Sequence, residues 1–257
     1  MVSEPRDGVL TGATALVTGA GQGVGRGIAG ALASRGARVA VVGRTLSKVE
    51  ETAVELRSRG GRAEAFECDV TDYDDAASMV EEVSEAFGGL SILINNAQTT
   101  YNRLLLEHTE DEYRQIMDSG PLATWRMMRL CHPHLKGNGA IVNLGSAAGV
   151  RWDPSGYGLY AAAKEAVRSL TRAAACEWAD DGIRVNAILP LAMSPALSQW
   201  SRSQPEEADE YLRTVPLHRF GDPEDDIGAA VAFLCSDQSR YITGHSMPVD
   251  GGQVLMR

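Results

Sequence analysis

Basic charge, long apolar runs, paired cysteines and clustered histidines are all scarce in this 257-residue chain. Acidic residues outnumber basic ones, 34 to 24, for a net charge of −10. That balance argues against nucleic acid or anionic membrane as a main partner. No apolar run approaches the roughly 18 residues that a membrane span needs. The start, Met1 to Thr11, is polar and lacks the apolar centre of a secretory signal, so a cytoplasmic protein is expected. Cys68, Cys131, Cys176 and Cys235 lie far apart with no Cys-x-x-Cys pair and read as reduced structural thiols. His108, His132, His134, His218 and His245 show no metal-ligand spacing, and His132 and His134 would diverge on a helix. No metal site is expected.

What is present is an alternation. At 44% hydrophobic and 23% charged, the chain has enough apolar mass for a full core. Apolar strand candidates fall at 14–18, 38–43, 63–67, 91–95, 140–145, 183–188 and 246–249. Helical stretches lie between them at 24–35, 46–58, 73–87, 110–136, 158–178 and 224–235. Such alternation predicts a single α/β domain over 1–257, with a doubly wound parallel sheet of about seven strands and helices on both faces. Ligands of such sheets bind at the carboxyl ends of the strands, where strand order reverses. Residues 191–217 break the rhythm with Pro, Ser, Glu and Trp200, and are expected to form a substrate lid.

The first strand runs directly into Gly19-Ala20-Gly21-Gln22-Gly23-Val24-Gly25 and then an alanine-rich helix. Strand, glycine turn and helix start make a cradle for a phosphate anion, with backbone N–H groups facing it. The literal G-x-G-x-x-G at Gly25–Gly30 lies inside the helix, so the working pattern is Gly19-x-x-x-Gly23-x-Gly25. The second strand ends in Gly43-Arg44-Thr45 with no carboxylate. An acidic residue there would bind a ribose diol, whereas the planar fork of Arg44 suits a 2′-phosphate. NADP(H) is therefore favoured over NAD(H).

Tyr160-Ala-Ala-Ala-Lys164 follows Ser146 by a short loop. Residues four apart share a helix face, so a phenol and an ammonium would enter one site. A tyrosine alone titrates near 10, and a fixed cation favours its phenolate. Ser146 would add a neutral donor for an oxygen that gains charge. Together they could interconvert a carbonyl and an alcohol.

Thr18-Gly19-x-x-x-Gly23-x-Gly25, Asn95-Asn96-Ala97, Ser146 and Tyr160-x-x-x-Lys164, in this order, resemble the short-chain dehydrogenase/reductase family. The resemblance runs from about Gly12 to Gly252 and includes Arg219–Asp225, Ile242-Thr243-Gly244 and Val249-Asp250-Gly251-Gly252. It implies a Rossmann-like fold and a homotetramer. It places catalysis on Ser146, Tyr160 and Lys164. It places dinucleotide contacts at Gly19, Gly21, Gln22, Gly23, Val24, Gly25, Arg44, Thr45, Asp69, Val70, Asn96, Tyr160, Lys164 and Pro190. Asp69 would hold the adenine amino group.

Departures from the family pattern cluster around the expected nicotinamide. Gln98 stands where a glycine usually follows Asn-Asn-Ala, Leu191 where a glycine usually follows Pro190, and Gly120-Pro121 where relatives carry a catalytic asparagine. A proline there is expected to kink the helix and free the carbonyl of Met117. Two functions follow: an oxidoreductase on a small carbonyl/alcohol pair, or a nucleotide-binding sensor or scaffold that has lost turnover. Trp152, Tyr157 and Trp200 point to an apolar or cyclic substrate. The apolar groups Trp125, Met127, Met128, Trp178 and Val254-Leu255-Met256 are expected at subunit contacts.

Overall fold

The computed structural model describes residues 8–151 and 154–254. Seven parallel strands form one sheet: β1 (Thr14–Thr18), β2 (Arg38–Gly43), β3 (Arg62–Glu67), β4 (Ile92–Asn95), β5 (Gly139–Leu144), β6 (Ile183–Pro190) and β7 (Ser246–Val249). Their order is β3-β2-β1-β4-β5-β6-β7. The chain winds outward from β1 to β3, then restarts with β4 on the other side of β1. The reversal lies between β1 and β4, where Ala15 pairs with Ile92 and Val17 with Ile94. Loops leaving those two strands diverge and open a crevice at their carboxyl ends.

Successive side chains on a strand point to opposite faces, and the core divides on that rule. Ala15, Val17, Val39, Val41 and Ile94 face one layer, built on α1 (Gly23–Ala33), α2 (Leu46–Ser58) and α9 (Ala229–Cys235). Leu16, Ala40, Val42, Leu93 and Ile141 face the other, with α3 (Tyr73–Phe87), α5 (Ala123–Leu135) and α6 (Gly158–Glu177). Met127 and Met128 are fully buried in this second layer. They belong to the subunit's own core and are not available to a neighbour, because both project from α5 toward the sheet. Among the described members of that group Trp125 stays well exposed, and Trp178 packs on His132 with ring centroids 4.8 Å apart. Trp152, Leu255 and Met256 lie outside the described residues.

The segment 110–135 is one helix in three parts. It comprises α4 (Glu110–Met117), a π-turn over Asp118–Leu122, and α5. Thr109 and Glu112 close its start with reciprocal hydrogen bonds of 3.2 and 3.0 Å. In the π-turn N–H groups reach back five residues instead of four, as Ala123 does to Asp118. The expected release of the Met117 carbonyl is thereby corrected: Leu122 stands five residues after it, so the π register absorbs the missing N–H of Pro121.

Residues 191–217 fold largely into α7 (Pro195–Ser203) and α8 (Pro205–Arg213). Ser194 caps α7 through Leu197 N–H, and each helix starts on a proline. Trp200 is committed to packing, edge-on to Tyr211, which in turn stacks on Phe220. The four cysteines are free. Cys176 is exposed, so the expectation of four structural thiols holds only for the buried Cys68, Cys131 and Cys235. No helix among the described residues is long and apolar enough to cross a membrane.

Candidate active site

A cleft of about 550 Å³ occupies the crevice. Its lining includes every residue expected to touch the dinucleotide, from Gly19 to Pro190. Gly19 and Gly23 take positive φ values, 65° and 54°, which lets the chain turn sharply into α1. Asn96 pins that turn: its Nδ2 donates to the carbonyls of Thr18 at 2.9 Å and Gly19 at 3.1 Å. A β-carbon on Gly25 would lie 2.4 Å from the Gly19 oxygen, so the turn closes only on glycine. Gln22 occupies the N-cap of α1 without a side-chain cap bond. The helix start is thus open toward the cleft, and the cradle fits a pyrophosphate. Val24, partly buried against the core, lines the cleft beside it.

The far end of the cleft is formed after β2 and β3. The Arg44 side chain is 64% exposed, and its guanidinium lies 3.9 Å from Asp69. Thr45 precedes α2 with its hydroxyl making no cap bond. Asp69 accepts from Thr71 N–H at 3.0 Å and Thr71 Oγ1 at 2.7 Å, next to Val70, while the cap of α3 is Asp72. A residue overlooked in the sequence completes this wall. Lys48 donates from Nζ to Gln22 Oε1 at 3.1 Å and lines the cleft with Arg44. The missed signal was position: the first turn of α2 brings Lys48 back toward the glycine loop.

Tyr160 and Lys164 project together from α6, as their spacing requires. Lys164 is 5% exposed, and its Nζ donates to the Leu144 carbonyl at 2.7 Å. It lies 5.4 Å from the Tyr160 ring centroid. Burial lowers the Lys164 pKa to about 7. Ser146 follows β5, accepts from Ala148 N–H at 3.2 Å and stands beside the Tyr160 hydroxyl. Burial raises the Tyr160 pKa above its ordinary value, against the opposing pull of the Ser146 hydroxyl. The expected lowering by Lys164 is not what this geometry gives. Desolvation disfavours both charged forms, and the ammonium is held on a backbone carbonyl over the ring. Tyr157 stands edge-on to Tyr160 at 5.9 Å.

Behind the site, a buried polar chain fixes α6 on the sheet. Asn95 donates to Asn143 Oδ1 at 2.9 Å, and Asn143 donates to Thr171 Oγ1 at 2.9 Å. Thr171 is two helical turns beyond Lys164, so this chain sets the height of the lysine. The clue was a lone asparagine in the apolar run of β5.

A family model described as Enoyl-(Acyl carrier protein) reductase matches residues 19–253. A 12alpha-hydroxysteroid dehydrogenase from Clostridium sp. is 39% identical, with 95% of this chain and 98% of that protein covered. A 3-oxoacyl-acyl-carrier-protein reductase from Staphylococcus aureus is 37% identical, over 94% and 98%. A solved structure assigned as an NAD(P)-dependent gluconate 5-dehydrogenase from Beutenbergia cavernae, with NADP bound at low occupancy, superposes with a TM-score of 0.88. It is 36% identical and the match covers 97% of this chain and 99% of that one. With the glycine turn, the Tyr-x-x-x-Lys helix and these relatives in agreement, the chain belongs to the short-chain dehydrogenase/reductase family and is an NAD(P)-dependent oxidoreductase acting on the CH–OH group of donors.

Proposed function

We propose that this chain interconverts a ketone and a secondary alcohol, with NADP(H) as the preferred cofactor and Tyr160 as the acid/base group. The observation that carries the reading is the arrangement at the end of β5. Tyr160 stands beside Ser146 and a buried Lys164, and Tyr160 and Lys164 line the same cleft as the glycine turn. The bound nicotinamide supplies or accepts the hydride. Tyr160, raised by burial, keeps its phenol proton at neutral pH and delivers it to the oxygen of the reduced carbonyl. Ser146 donates to that same oxygen as charge collects on it. Lys164, on the adjacent helical turn and held on the Leu144 carbonyl, offers a donor for the ribose.

The cofactor preference rests on charge. No carboxylate ends β2, and Arg44 and Lys48 both line the cleft beyond it, two cations whose charge suits a 2′-phosphate. Tyr157 and the helices α7 and α8 border the substrate side, and we assign 191–217 the role of lid. The named substrates of the two curated relatives, a hydroxysteroid and an oxoacyl group, share a ketone/secondary alcohol centre. A small or medium, apolar or cyclic ketone is the class proposed here. The test is oxidation of NADPH and of NADH over a panel of such ketones. Turnover with NADPH preferred supports the reading. Cofactor binding with no turnover on any ketone overturns it in favour of the sensor or scaffold.

A further inference from the structure

Gln98 and Gly120 are far apart in sequence and in direct contact across the cleft wall. A β-carbon built on Gly120 would lie 2.7 Å from Gln98 Nε2, 3.1 Å from Cδ and 3.1 Å from Oε1. All three atoms crowd one point, so the flat carboxamide lies on the bare face of the glycine. Gln98 Nε2 also reaches the Ile116 carbonyl at 3.5 Å, one turn earlier on the same helix. Thr99 N–H donates to Ser119 Oγ at 3.0 Å, and Ser119 donates to the Gln115 carbonyl at 2.6 Å. The loop after β4 is thus fastened to the π-turn at two consecutive residues. The π-turn in turn packs against α6, the helix of Tyr160 and Lys164.

Gln98 Oε1 is buried and meets no donor among the described residues. An unpaired buried acceptor is costly, and a leucine or methionine of similar bulk would fill the space without that cost. Glutamine is therefore a poor choice for filling alone. Gly120, likewise, is a poor helix former in the middle of a long helix. Each residue is unfavourable by itself, and each makes sense only beside the other.

We propose that Gln98 is a positioning residue for the Tyr160–Lys164 pair: its carboxamide, seated on Gly120, wedges the π-turn into the place from which it supports α6. The inference rests on the oxidoreductase reading above and deepens it. It makes Gly120 a consequence of Gln98, and it carries the amide on the loop wall of the cleft. An asparagine at 120 would carry an amide on the helix wall, and the two cannot coexist without displacement.

The experiment is a double-mutant cycle in the full chain: Gln98→Gly, Gly120→Asn, and both together. Each single variant is expected to lower kcat about tenfold or more while the Kd for NADPH stays within about threefold. The double variant, with the amide moved to the opposite wall, is expected to recover kcat to within about threefold of the native chain. The pH midpoint of kcat and the melting temperature should shift in the singles and return in the double. Gln98→Gly with native kcat overturns the inference. So does a double variant that is unfolded, or whose loss equals the product of the single losses. Native turnover that ignores Gln98 defeats this inference alone. If the native chain binds NADPH yet turns over no ketone, the oxidoreductase reading fails, and the melting temperatures still report whether the two residues are coupled.

Discussion

Single residues decide the chemistry through what surrounds them. Arg44 and Lys48 reach the same wall from consecutive parts of the chain, and neither is locked in a tight ion pair. Arg44→Ala is expected to weaken NADPH binding by about 1.5–3 kcal/mol, the range for a charged hydrogen bond, with NADH nearly unchanged. Lys48→Gln should act in the same sense and more weakly, because its ammonium is shared with Gln22. Titration of both cofactors into each variant checks this, and equal weakening of the two would remove these residues from the phosphate site. Lys164 gives a second test, through pH. Its pKa falls from 10.5 to about 7 on burial. Below about 7 the folded and unfolded chains both hold the proton, and the penalty of burying the charge is complete. Between those values only the unfolded chain holds it, so the penalty shrinks as pH rises and is gone above 10.5. The stability of Lys164→Met relative to the native chain should therefore fall steadily from pH 7 upward. Chemical denaturation across that window reads it, and a gap independent of pH would contradict the buried-ammonium assignment.

At the scale of elements, strand positions were legible because alternation on a parallel sheet is a strong signal. β1, β2 and β7 start and stop where the residues place them, and the others differ by one or two residues. The glycine turn and the Tyr160/Lys164 face were legible for the same reason, since both depend on local spacing. The π-turn was not. Pro121 announces a disturbance in a helix but not its register, and the contact that Gln98 makes with that helix comes from another element. Lys48 escaped notice because its role depends on α2 folding back on the glycine loop. Close helix contacts also rest on pairs distant in sequence. A β-carbon on Gly27 of α1 would lie 2.4 Å from the backbone of Pro223, at the start of the turn leading into α9. Gly27→Ala should thus cost about 1–3 kcal/mol by overpacking. At about 2–4 °C per kcal/mol for a chain of roughly this size, thermal melting would register the loss, and an unchanged midpoint would contradict such close packing.

For the molecule as a whole, the sheet order puts the glycine turn and the end of β5 on one edge of the layer, so a dinucleotide lying across the crevice would meet both. Assembly is the less legible property. Burial of Met127 and Met128 removes two of the groups expected at a subunit contact, whereas Trp125 and Tyr113 remain exposed on the long helix. We still expect a tetramer with two-fold axes, joined through the long helix and α6. Light scattering after gel filtration at micromolar protein should give four times the subunit mass of 27.5 kDa, and a monomer throughout would contradict it.

The central claim is that Tyr160 moves the proton, and one substitution isolates it. Tyr160→Phe keeps the ring beside Tyr157 and removes only the hydroxyl that meets Ser146. With NADPH and a ketone that the native chain reduces, the variant should lose nearly all turnover, about a hundredfold or more by the usual scale of acid/base catalysis, while binding NADPH as the native chain does. Turnover at the native rate in Tyr160→Phe, with cofactor bound, would contradict the account.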